Sequence, residues 1–525
     1  MTEPETTSIP HEPRWLRKRL WLIFLVTMAI YILPNPFPAG GHFLLTKSRA
    51  DSWNDEARIA TVESLTERGT LAIEYSKWGW FTGDKVLLRE HFYSTKPPLL
   101  SVVGAFNYWV FRDVIHIFSG EWITYLKNED IIYPWVTFTT SGLAFALLLV
   151  YFYRSLFLVE LSNSARTWLF WALAIGTLYP AYSTVLNNHT ISGTGIFIAF
   201  YYVMRHRLGV KLKIPEALFS GLSAGFAGVN DLSGALPFVL FFFLLIGLND
   251  FPWAILKNKR AWAIIALLIF LIVLASAIPL VLLNLLSKPL AIGLFLAFNT
   301  GLAFSIILAI NKRPATLCYF IGLLIPAVAH LFFNSRITGN WMPTYIQSDV
   351  YIATPPGYFG EVVSPSKAGI LFWQRWVYAG TALFGIRGIF LYTPILLLGL
   401  GAAIMTALKK HDQLRWDALS AVIGVIAGWG WVLLFASPNF GGTSFGVRYA
   451  LTATPILVFF CHKLYIPGSK PIWAAFMRNA ILWGFIFGLI AIPWPWGMFG
   501  GLPSTQASFA GNLEYISLNF LSAAP

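Results

Sequence analysis

Apolar runs of about twenty residues, parted by short segments carrying Lys and Arg, recur from Leu20 to near residue 497. A helix rises about 1.5 Å per residue, so roughly twenty apolar residues cross the hydrocarbon core of a bilayer. In that solvent each backbone N–H and C=O needs a partner within the protein, which a helix supplies along its own length. The pattern therefore specifies an all-α polytopic membrane protein. Composition agrees: 12% of the 525 residues are charged, where a soluble domain carries about 25%.

The excess of Lys and Arg gives a formal net charge of +13. A nucleic-acid partner is not needed to explain it. Most of the cations fall in segments that one alternating topology places on the cytoplasmic side, as the positive-inside rule requires. About 13 transmembrane spans result: 20–36, 131–153, 167–186, 190–204, 216–230, 233–249, 262–286, 289–310, 315–333, 388–408, 416–436, 449–464 and 475–497. The basic cluster Arg14, Arg17, Lys18 and Arg19 puts the N-terminus in the cytoplasm, with the first helix retained. Residues 1–497 form one membrane domain with a first outer loop at 38–130 and a second at 334–384, and 498–525 form a short outer tail. Cys318 and Cys461 sit in apolar runs and suggest neither a disulfide nor a Cys-rich metal site.

The first loop is where chemistry concentrates. Between Pro38 and Asp130 lie twelve of the 24 acidic residues. Asp55 to Arg68 has helical character, stopped by Gly69. Pro98 to Phe111 is apolar but short, closed by Arg112 and Asp113, and reads as an interfacial helix with Tyr108 and Trp109 at the membrane surface.

Four stretches carry reactive or charged groups. Asp55-Glu56-x-Arg58 offers two carboxylates for general-base work; the same acids also suit a helix N-terminus. Lys96-Pro97-Pro98 fixes an ammonium at head-group level, either to hold a phosphate or simply to snorkel. Arg387 sits between glycines at the start of the span at 388–408. Gly441-Gly442-Thr-Ser-Phe-Gly446-Val-Arg448-Tyr449 brings backbone close to a ligand and opens a helix with a guanidinium, costly in a membrane unless paired or used. Asn187-Asn188-His189 and Asp231 lie at the same outer level; a lone His in a short loop is more often structural than catalytic, and Asp231 caps a helix as readily as it meets a ligand.

The order of these motifs resembles the GT-C class of membrane glycosyltransferases. It is most similar to the branch holding aminoarabinose transferases of lipid A and protein O-mannosyltransferase-like proteins. Asn54-Asp-Glu-Ala-Arg-Ile-Ala is similar to that family's Asp-Glu-x-Arg-Tyr-Ala, and Lys-Pro-Pro-Leu and Gly-x-Arg-Tyr follow in order. The resemblance implies a GT-C-like fold and an inverting transfer of a sugar from a polyprenyl-phosphate carrier to an acceptor hydroxyl on a glycan, lipid or protein. It implies Asp55 as base with Glu56 as partner, Lys96 on the lipid phosphate, and Arg448 and Arg387 stabilising the leaving phosphate. Arg58, His189, Tyr449 and Asp231 join the substrate site. No cofactor is required, although Asp55, Glu56 and Asp231 are able to hold a divalent cation. The expected location is a cytoplasmic (inner) membrane, with the site on the periplasmic or extracellular face.

The chain departs from the pattern at Thr95, where the aminoarabinose branch has Glu, and at Ile59, where the family has Tyr. The large soluble C-terminal domain of some members has no counterpart in the residues after the last span. Two other readings stay open: a lipid or sugar transporter or flippase, and an oligosaccharide polymerase or ligase using a diphosphate-linked donor.

Overall fold

The computed structural model of the chain describes residues 14–32, 50, 52–251, 301–303, 305–308, 314–339, 344, 372–385, 388–435, 444–465, 471–492 and 495. Helices dominate them. α1 is Arg14–Ile32, and the first loop follows with α2 (Trp53–Arg68), α3 (Lys77–Phe81), a hairpin of β1 (Lys85–Leu88) and β2 (His91–Ser94), and α4 (Pro98–Ser119). α5 (Tyr125–Thr137) continues through a π-turn into α6 (Leu143–Ser155). Next come α7 (Asn163–Ala174), α8 (Tyr179–Tyr182), α9 (Asn188–Arg207), α10 (Ile214–Asn230) and α11 (Leu232–Asp250). The rest are α12 (Ala315–Thr338), α13 (Phe372–Phe384), α14 (Ile389–Tyr392), α15 (Ile395–Leu408), α16 (Arg415–Gly430), α17 (Thr454–Phe460) and α18 (Pro471–Ala491).

Five helices among the described residues are long and apolar enough to cross a membrane, or six when the bent pair around 375–408 is taken as one. The protein is thus a multi-pass membrane protein. The expected count of thirteen is not reproduced. The expected spans at 262–286 and most of 289–310 lie outside the described residues, and several others are interrupted. The run 167–186 breaks after Ala174, and a new short helix, α8, starts at Tyr179-Pro180, where the missing proline N–H is tolerated. The run 388–408 breaks at Thr393-Pro394. The run 449–464 is a 3-10 turn at Arg448–Ala450, α17, and another 3-10 turn at Cys461–Tyr465. The last span ends at Ala491, not at 497. Cys318 and Cys461 are free thiols, as expected.

α9 is the axle of the bundle. Every residue from Asn188 to His206 is buried, including Phe200, whose ring packs on Phe242, Phe459 and Phe460. Such all-round burial leaves no amphipathic stripe. Its two ends mark the two ends of the molecule. At the C-terminal end, Arg205 pairs with Glu216 at 2.5 Å, Arg207 with Asp417 at 2.5 Å, and His206 with Asp250 at 2.8 Å. α10 and α12 leave from that end and α11 returns to it.

At the other end the first loop folds into a compact layer. Ile59, Val62, Ile73, Leu100, Tyr108, Tyr125 and Tyr133 share its core. α2 starts at Trp53, two residues before the expected Asp55, with Ser52 as its cap, and ends as the sequence suggests: Gly69 takes the left-handed conformation, φ +67°, and closes it. α4 runs through Arg112 and Asp113 to Ser119, eight residues beyond the expected stop. The reason is local: the Arg112 guanidinium lies over the Trp122 ring at 4.8 Å, and Gly120, φ +75°, ends the helix instead. Phe106, Trp109, Ile117 and Phe118 stay exposed along it, the surface an interfacial helix presents to lipid. The hairpin was not legible in the sequence. It pairs Lys85 with Ser94 and Leu88 with His91 across Arg89-Glu90.

Candidate active site

α2 enters the molecule through a capping box. Asp55 Oδ1 accepts from the Ser52 amide at 2.8 Å, the Ser52 hydroxyl at 3.0 Å and the Glu56 amide at 3.1 Å. Its Oδ2 accepts from the Tyr133 hydroxyl at 2.8 Å. Asp55 is fully buried, and Glu56 beside it is half-buried. The helix-start reading of this pair is therefore realised in the fold.

One turn later Arg58 is 1% exposed. Its Nη1 donates to the Asn54 carbonyl at 2.8 Å and to the Asn54 side chain, and its Nη2 donates to Asn188 Oδ1 at 2.9 Å. Asn188 is itself anchored to the Asn230 carbonyl at 2.9 Å. Among the described residues no carboxylate comes within ion-pair distance of Arg58, and its Nε has no acceptor. Burial first, and then the charge of Arg448, pull this guanidinium down to about 9; Asp84, Asp55 and Asp231 pull the other way. A buried cation held, among the described residues, by amide oxygens, and beside a second cation, is an unusual arrangement.

Lys96 comes from the turn after β2. Its ammonium meets Asp84 at 2.6 Å and is about one-fifth exposed. Burial holds it below the usual lysine range; Asp84 opposes this, and Arg58 and Arg448 add to it. Arg448 arrives from the far end of the sequence. Gly446, φ +72°, turns the chain there, and a Cβ on it would meet Leu178 at 2.9 Å and Tyr392 at 3.3 Å. The Phe445 carbonyl accepts from the Tyr182 hydroxyl at 3.0 Å, fixing the turn.

His189 sits at the start of α9, its Nδ1 2.9 Å from Asp231 Oδ2. The same oxygen accepts from the Thr452 hydroxyl at 2.6 Å, and Asp231 Oδ1 accepts from the Gly234 amide at 3.1 Å. The Tyr449 ring meets His189 edge-on, centroids 5.3 Å apart. The charges of Arg448 and Arg58 both act on the imidazole.

The fold thus gathers Asp55, Arg58, Lys96, His189, Asp231, Arg448 and Tyr449 at one end of the bundle, next to the apolar helices. Arg387, Gly441 and Gly442 lie outside the described residues. Sequence reasoning missed Asp84, Tyr133 and Thr452. Asp84 is a lone acid in a hairpin approach, Tyr133 one tyrosine in an apolar run, and Thr452 one threonine among several; none carries a local signal. Among the described residues no three His, Cys, Asp or Glu side chains are grouped to hold a metal ion. Compared with known proteins, no family model matches the chain, and no curated protein matches it.

Proposed function

We propose that the protein is an inverting glycosyltransferase that moves a sugar from a polyprenyl-phosphate carrier to an acceptor hydroxyl. One observation carries the reading: three cations, Arg58, Lys96 and Arg448, converge at the end of an apolar bundle, and the most buried of them has no carboxylate partner among the described residues. A polyprenyl phosphate has its charge at the head-group plane and its tail in lipid. A site for it needs cations at that plane beside apolar helices. In this proposal Lys96 and Arg58 bind the phosphate and Arg448 stabilises the charge that builds on it as the C1–O bond breaks. Asp55 fixes the start of α2, and so the position of Arg58, while Asp55 and Glu56 line the acceptor side. Arg387 belongs to the proposed phosphate contacts through the family resemblance alone. The proposal includes a cytoplasmic membrane location with this end facing outward, in a GT-C-like fold of about thirteen spans, and no required cofactor.

The test is sugar release or transfer by purified protein in nanodiscs, offered radiolabelled polyprenyl-phosphate monosaccharides. Wild type should turn over at least one donor, and Arg58→Met, Lys96→Met and Arg448→Met should each weaken donor binding tenfold or more. Turnover of diphosphate-linked oligosaccharides alone would move the protein to the polymerase or ligase class. Sugar or lipid flux with no transfer would make it a transporter.

A further inference from the structure

The proposed transfer needs a group to take the acceptor's proton, and Asp55 is poorly free to do so. A carboxylate has about four lone-pair sites. Two backbone amides, the Ser52 hydroxyl and the Tyr133 hydroxyl already donate to Asp55. The opposite situation holds at His189. Its Nδ1 is committed to the Asp231 carboxylate, which places the ring proton on Nδ1 and leaves the lone pair on Nε2. Asp231 is in turn fixed from two sides, by the Thr452 hydroxyl and the Gly234 amide. The imidazole is therefore oriented by a third group, the arrangement in which a histidine serves as general base. It also stands in the right company. Asn188, its neighbour, bonds Arg58, and Tyr449, next to Arg448, packs on its ring.

We infer that His189, positioned by Asp231, is the general base of this site. The inference rests on the glycosyltransferase reading above. As the acceptor oxygen attacks C1 of the sugar, its O–H bond breaks and the proton passes to His189 Nε2. The C1–O bond to phosphate breaks and its electron pair stays on the phosphate, next to Arg58, Lys96 and Arg448. The imidazolium is balanced by Asp231 and later releases its proton to solvent. Asp231 and Thr452 are positioning residues.

The experiment uses the full-length protein in nanodiscs with the radiolabelled donor panel, and two nucleophiles, water and azide. Azide attacks without losing a proton and so needs no base. His189→Gln should bind donor within about threefold of wild type and lose hydrolysis by about 100-fold to 10,000-fold, the usual worth of a general base. It should retain glycosyl azide formation. Wild-type hydrolysis should rise with pH as the imidazole loses its proton, in the field of the groups facing it: Asp231, Arg58, Arg448 and Tyr449. In Asp231→Asn that rise should move to lower pH, because the imidazolium loses its counter-charge. Hydrolysis by His189→Gln within threefold of wild type would overturn the inference, and Asp55→Asn would then show whether that carboxylate is the base. Equal loss with water and azide would also overturn it and make His189 a phosphate ligand. Failure of wild type on every donor would instead sink the glycosyltransferase reading itself.

Discussion

Glu63 is buried on α2 and accepts from the Ser76 hydroxyl at 2.5 Å. Burial raises its carboxyl to about 7, with Glu67 and Glu129 adding to the shift and Ser76 and Arg68 opposing it. An unfolded glutamate titrates near 4.3. Between those values the folded loop keeps a proton that the unfolded chain gives up, so stability is full below about pH 4 and is lost as pH rises toward 7. Glu63→Gln should remove that slope. Its melting temperature should be flatter than wild type from pH 5 to 8, and the variant should be the more stable by about 1–2 kcal/mol at pH 8. Tyr133→Phe should do the reverse at one position. It leaves Asp55 Oδ2 buried without its hydroxyl donor, and a hydrogen bond to a charged group is worth about 1.5–3 kcal/mol. Differential scanning fluorimetry of the purified protein checks both. Single residues were legible in the sequence where a neighbour in the chain announced them. Asp55 and Arg58 stand one helical turn apart, and Lys96 precedes two prolines. Asp84 and Thr452 gain meaning only from partners that the fold brings to them, twelve residues away in one case and 221 in the other.

At the scale of elements, charge and hydropathy located most helices because a membrane allows few alternatives. What they could not show is where a helix stops for a reason other than polarity. α4 passes through Arg112 and Asp113 because its flank is a surface where those side chains lie against aromatic rings or reach out. The hairpin was hidden for a related reason. Its turn residues, Arg89 and Glu90, have φ of +51° and +69°, a conformation that Asn and Gly normally announce. A non-glycine residue there costs about 1–2 kcal/mol. Glu90→Gly should therefore stabilise the loop layer by about 1 kcal/mol, read as slower hydrogen exchange at the Lys85–Ser94 ladder. Arg89 is the poorer place for the change, since its guanidinium lies against Gly339 at the end of α12.

For the whole molecule, α10 and α12 bring their backbones together at Gly221, Gly225 and Gly322. A Cβ on Gly221 would sit 1.9 Å from the Tyr319 carbonyl oxygen, and one on Gly322 would sit 2.2 Å from that of Leu218. Gly221→Leu should cost about 3 kcal/mol and give protein that unfolds or aggregates on extraction. Gly401→Ala on α15, where a Cβ meets nothing within 4 Å, should be neutral or stabilising by about 0.5–1 kcal/mol. Size-exclusion profiles in detergent separate the two outcomes. This close approach holds Asn230 and Asp231, at the top of α10, level with the first loop. The candidate site then takes Arg58 from near the start of the chain and Arg448 from near its end. A ribosome delivers the first long before the second. On the proposed topology the first loop crosses the membrane early in synthesis and stands there, its Arg58 without the later segments that surround it. Only when the last helices have inserted are the candidate-site residues together. A chain interrupted after α16 would thus be an integrated protein with a formed α2 and no site. Supplying the missing helices as a separate polypeptide should restore function only if they arrive while the first loop is still able to receive them.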